Sequence, residues 1–133
     1  MIKGFIEETK PLSKKEIHTL RVMVNGLKTF PHGKRYHQTA GYFINQLKSI
    51  GITINEARFR KIIQYIRVND LVLGICSDSG GYWITDDAKE LYDTLKSLKD
   101  RITNQTSTFN ALKRQYKKMF ESKIKKNKEL WNN

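Results

Sequence analysis

The sequence predicts a mainly α chain carrying one small β-hairpin, an α+β arrangement that closes on a long helix. Three observations predict it. Two boxes of the form Ser/Thr-x-x-Glu each open a run of apolar residues at helical spacing. A β-rich run, a turn with two glycines and a second β-rich run follow in close order. From Ala88 to Met119, apolar or core-compatible residues then recur every third and fourth position without a slip.

Residues 1–12 form a lead-in closed by Pro11. Ser13-Lys14-Lys15-Glu16 is a capping box, in which the Ser and Glu side chains satisfy two amide donors at a helix start. Ile17, Leu20, Val24 and Leu27 follow at helical spacing, so the first helix runs to about Leu27. Thr29 to Arg35 contains Pro31 and Gly33 and reads as a loop or a very short strand. The second helix begins near Thr39, turns Phe43, Ile44 and Leu47 inward and stops at Ile50-Gly51. The second box, Thr53-Ile54-Asn55-Glu56, comes at once. A third helix then runs from about Asn55 to Asn69, with Phe59, Ile62, Ile63 and Ile66 on one face.

Two helices joined by a Gly-containing turn of about four residues match a helix-turn-helix. Leu71 to Ser77 and Tyr82 to Thr85 read as strands around the turn Asp78-Ser79-Gly80-Gly81. A hairpin placed directly after the second helix of a helix-turn-helix is a wing. Asp86-Asp87 opens the last helix, with acids at its positive end.

In that last helix Ala88, Leu95, Ile102, Phe109 and Tyr116 take the a positions of a heptad. Leu91, Leu98, Gln105, Leu112 and Met119 take the d positions. Two arrangements stay open. The helix runs unbroken and pairs with a second chain through Ile102, Gln105, Phe109, Leu112, Tyr116 and Met119, making a homodimer. Alternatively it breaks at the poor helix formers between Thr103 and Thr108 and folds back. The flanking positions, among them Thr94, Lys99, Arg101 and Thr106, carry no complementary charge code.

Arg60 to Arg67, Leu73 to Ser77 and Gly80 to Ile84 resemble winged-helix segments of small DNA-binding proteins from phages and mobile elements, over roughly Thr39 to Arg101. The resemblance implies a winged helix-turn-helix fold and duplex-DNA binding, in transcription regulation or replication within a bacterial host cell. The expected organisation is a lead-in (1–12), a winged domain including the start of the last helix (13–101), a coiled-coil extension (102–122) and a basic tail (123–133).

The formal net charge of +12 favours a polyanionic partner. It is also unevenly placed. Between Lys28 and Arg67 eight bases stand against Glu56 alone. Asp70 to Leu112 is net acidic, and from Lys113 to Asn133 eight bases stand against Glu121 and Glu129. An even solubility coat would not be blocked in this way.

On the third helix Ala57, Lys61, Gln64, Tyr65 and Val68 lie opposite the apolar face, flanked by Arg58 and Arg60, with Arg67 near the edge towards the core. In a helix entering the major groove, Ala57 permits close approach and Gln64 can pair bidentately with adenine. Lys61 reaches guanine or phosphate, while Arg58, Arg60 and Arg67 grip phosphates. Thr53 and Asn55 at the helix start, Lys34 and Arg35 in the basic loop, and Lys125 and Lys126 in the tail complete the candidate DNA contacts. The hairpin loop Ser77 to Gly81 holds an acid and no base, so the wing is expected to repel phosphate weakly and to serve structure. Tyr82, Trp83 and Ile84 are expected to pack against the third helix.

No catalytic constellation stands out. His18, His32 and His37 have no metal-ligand spacing with the lone Cys76 or with paired acids, so neither a metal nor a cofactor is expected, nor an enzyme. No apolar run is long enough for a bilayer, and a cytoplasmic protein without a membrane partner is expected. The competing reading is a protein-interaction module on the same fold: an adaptor, an inhibitor of a host nucleic-acid enzyme, or a virion component. A host or phage protein would then be the partner.

Overall fold

A computed structural model describes residues 10–121. Its order is α1 (Lys14–Lys28), a 3-10 turn (Lys34–Tyr36), α2 (Ala40–Ser49), α3 (Glu56–Val68), β1 (Ile75–Asp78), β2 (Gly81–Ile84) and α4 (Ala88–Met119). The chain is therefore mostly helical, with a two-stranded antiparallel sheet and a long C-terminal helix. It forms two compact units divided between Thr94 and Leu95.

Local chemistry sets the helix ends. Ser13 caps α1: its hydroxyl accepts the Glu16 N–H at 3.2 Å, and the Glu16 carboxylate accepts the Ser13 N–H at 2.9 Å. Thr39 caps α2 by accepting the Tyr42 N–H. The cap of α3 is Asn55, which accepts the Arg58 N–H at 2.8 Å. The box expected from Thr53 thus gives way to a start two residues later, and Thr53 is left exposed in the connecting turn.

The core of the first unit gathers Leu20, Met23 and Leu27 of α1, Leu47 of α2, and Phe59, Ile62, Ile63 and Ile66 of α3 against Ile75 and Ile84 of the hairpin. In the hairpin Ile75 pairs with Ile84 and Cys76 with Trp83. Strand alternation turns Ile75, Ile84 and Tyr82 towards the helical core, where Tyr82 meets Phe59 edge to face at 5.6 Å. Cys76 and Trp83 point the other way and are still buried. The start of α4 lies on that side: the Cys76 thiol reaches the Glu90 carbonyl at 3.9 Å, and Thr94 is buried.

A third segment joins the hairpin. His32 bridges Ile84 in the parallel sense and Gln38 bridges Tyr82 in the antiparallel sense. The bonds are Gly33 N–H to Ile84 O at 2.7 Å and a reciprocal Gln38–Tyr82 pair at 2.8 and 2.9 Å. The segment Thr29 to Arg35, expected as a loop or a very short strand, is thus loop with a single bridge at His32, followed by the 3-10 turn.

Two expectations are corrected. The first strand does not begin at Leu71. Asp70 adopts a left-handed φ of 55°, and the Leu71 N–H closes the end of α3 on the Ile66 carbonyl, so Leu71 to Gly74 is irregular and pairing starts at Ile75. The last helix does not break between Thr103 and Thr108. The Thr108 hydroxyl bonds back to the Asn104 carbonyl at 3.1 Å, satisfying itself within the helix. The fold-back arrangement is overturned.

Candidate nucleic-acid interface

Helix α3 is pinned at both ends by arginines that the helical wheel had placed at the border of its open face. Arg58 lies one turn before Ile62 and is 8% exposed. Its guanidinium forks onto Glu16 with bonds of 2.6 and 2.7 Å, and donates to the Lys10 and Pro11 carbonyls at 2.8 and 3.1 Å. The bond from Arg58, together with those from Ser13, outweighs partial burial and holds the Glu16 carboxyl down at about 2. Arg58 therefore ties the start of α3 to the start of α1, which corrects its expected role as a phosphate grip.

Arg67 does the corresponding work at the other end. It lies one turn after Ile63 and donates to the Ile75 carbonyl at 3.0 and 3.1 Å and to the Ser77 hydroxyl at 3.1 Å. Its guanidinium also sits 6.0 Å from the centre of the Tyr82 ring. Arg67 anchors β1 to α3 and is likewise committed within the fold. Arg60 remains exposed and pairs with Glu56 at 2.9 Å, one turn away. Asn55 spends its carbonyl oxygen on the helix cap.

Between these anchors Gln64, Tyr65 and Val68 are exposed, and Ala57 and Lys61 are half-buried. This outer face is apart from the core residues Phe59, Ile62, Ile63 and Ile66. Lys34 and Arg35 come from the 3-10 turn that precedes α2. Arg35 lies over the Tyr36 ring at 4.7 Å. Lys34 reaches Asp78 of the hairpin at 3.4 Å and lies 5.3 Å from the Trp83 ring centre.

That last contact was not visible along the chain. Burial alone would raise the Asp78 carboxyl, yet the Gly80 N–H and the nearby Lys34 and His37 hold it below its ordinary range. The hairpin loop is acidic in sequence but has a cation placed beside its acid. The only trace of it in the sequence is the basic pair Lys34 and Arg35 in the loop between α1 and α2.

An apolar cavity of about 320 Å³ between α1, α2 and α3 is lined by Met23, Gly26, Phe30, Phe43 and Ile63 with no charged side chain, so it is not a phosphate site. Burial pushes the Cys76 thiol up, away from the thiolate that a nucleophile needs. Among the described residues no cluster of His, Cys, Asp and Glu could hold a metal ion, and no helix is long and apolar enough to cross a membrane. Lys125 and Lys126 lie outside the described residues. In comparisons with known proteins the chain matches no family model, no curated protein and no solved structure.

Proposed function

We propose that this chain is a winged helix-turn-helix protein of phage or mobile-element type that binds duplex DNA in transcription regulation or replication, with two copies paired through α4. The observation that carries the reading is the state of α3. It is tied down at one end by Arg58 and at the other by Arg67, while Ala57, Lys61, Gln64 and Tyr65 form a face that the core does not use. A rigid helix with small, amide and basic groups on its free side suits base-edge contact in a major groove. The order of α2, α3 and hairpin, with the His32 and Gln38 bridges beside β2, supports the winged arrangement.

The groups fall into two roles. Lys61 and Gln64 are the base-reading candidates, supported by the close approach that Ala57 allows. Arg60, Lys34 and Arg35 are the phosphate candidates, and the hairpin contributes through Lys34 although its own loop has no base. The test is the joint substitution of Lys61 and Gln64 by Ala, with duplex affinity measured at fixed salt. A loss of about tenfold or more is expected, on the order of 1–3 kcal/mol for one good bidentate pair. Unchanged affinity and unchanged sequence preference would remove α3 from the reading.

A second reading is favoured by one observation, the exposed apolar seam of α4. It makes the chain a protein-interaction module, acting as an adaptor, an inhibitor of a host nucleic-acid enzyme or a virion component. A random duplex separates the two: a salt-dependent gel shift supports DNA binding, and no shift at low salt supports the module.

A further inference from the structure

The first turns of α4 use Glu90 and Thr94 against the hairpin and leave Leu91 exposed. From Leu91 to Leu112 the seam is open to solvent, with Ile102 64%, Phe109 52% and Leu112 59% exposed, and Tyr116 beyond it is half-buried against Phe120. An unbroken helix with such a stripe at heptad spacing needs a partner for it. The flanking positions do not say which way a second helix would run. The lengthwise distribution of charge and the sizes of the seam residues do.

We propose that α4 pairs with α4 of a second copy in the antiparallel sense and in full overlap. This rests on the pairing proposed above and adds its direction. Antiparallel helices match a positions with d positions, and here one alignment matches every one of them. Ala88 meets the partner's Met119 at each end, Leu95 meets the partner's Leu112, and Ile102 meets the partner's Gln105 at the centre. The smallest seam residue, Ala88, meets the long Met119, and the two aromatics Phe109 and Tyr116 each meet a leucine. A parallel pair would instead stack Ala88 on Ala88, Phe109 on Phe109 and Tyr116 on Tyr116, leaving a thin layer and two overfull ones.

Charge points the same way. Residues 86–93 carry a formal net charge of −3, from Asp86, Asp87, Glu90 and Asp93 against Lys89. Residues 113–118 carry +4, from Lys113, Arg114, Lys117 and Lys118. Antiparallel overlap sets each acidic start beside the basic end of its partner and opposes the two helix dipoles. Parallel overlap sets basic end beside basic end.

Two variants that each add one cysteine, Leu95→Cys and Leu112→Cys, test the direction when mixed in a glutathione redox buffer. The parent chain, whose own Cys76 is buried, serves as the blank. Both positions are exposed, and circular dichroism with sedimentation checks that each variant keeps its fold and its association. Antiparallel pairing requires the mixed disulfide between the two variants to exceed either self-disulfide by at least about tenfold, a preference of about 1.4 kcal/mol. A dominant Leu95→Cys self-disulfide, or a statistical mixture, overturns the direction. Raising salt from about 0.05 to about 0.5 M should weaken the antiparallel dimer and would strengthen a parallel one. A parent chain that sediments as a monomer at every concentration overturns the pairing itself. The duplex titration of Lys61 and Gln64 is read separately, so DNA binding and pairing fail independently.

Discussion

Arg58 and Arg67 each sit one helical turn from a buried isoleucine, and that shared position explains why both differ from Lys61. A wheel gives a direction for a side chain but not what occupies that direction. For Arg58 the occupant is Glu16 with the Lys10 and Pro11 carbonyls, and for Arg67 it is β1. Arg58→Ala should therefore cost about 3 kcal/mol in urea unfolding, because it strands a mostly buried carboxylate. Lys61→Ala should leave stability within about 0.5 kcal/mol and instead relax sequence preference at one base pair, at a cost of about 1–3 kcal/mol in duplex affinity. The Glu16–Arg58 pair also sets an acid limit. Glu16 has a folded pKa of about 2, below its ordinary 4.5, so its contribution is whole above pH 4.5 and is lost as pH falls towards 2. Glu16→Gln should remove that part of the acid-induced loss, on the order of 2 kcal/mol, measured as unfolding midpoints at pH 5 and about pH 2.5.

The helices depend on caps and apolar spacing, which are local and were readable along the chain. The hairpin depends on two glycines whose need is not local. Gly81 has φ 135°, and an added Cβ would overlap the Gln38 carbonyl oxygen where the third segment joins β2. Gly74 has φ 81°, and its added Cβ would overlap the Thr85 carbonyl. Gly81→Ala should therefore destabilise by about 2 kcal/mol or more, with Gly51→Ala as the comparison. Gly51 also has a left-handed φ, 86°, but meets nothing within 4 Å, so it should cost less. Thermal midpoints of the two variants measure the difference. The length of α4 was the other question at this scale. The run Thr103 to Thr108 is poor in helix propensity, but the residues on either side are not, and the helix passes through it.

At the scale of the whole molecule the charge blocks of the sequence divide among roles. The arginines at the borders of α3 hold the fold together, Lys34 neutralises the hairpin acid, and Lys61 and Arg60 remain on the outer side of α3. Ile102→Glu, in the exposed stripe of the second unit, should abolish self-association seen by sedimentation and leave the unfolding of the first unit unchanged. The chain alone determined the element order, the helix cap at Ser13, the buried face Phe59, Ile62, Ile63 and Ile66 of α3 and the heptad spacing of α4. Each of these follows from spacing within a few residues, where backbone geometry decides which side chains share a face. On α1, by contrast, Ile17 is exposed and Met23 takes a core place that spacing had not assigned to it. Tertiary structure decided that Arg58 is an internal tie, that Lys34 belongs beside Asp78 and that β1 starts only at Ile75. These are contacts between residues 42 and 44 positions apart, or a chain reversal at Asp70, and they exist only once packing has chosen which charges meet which acceptors.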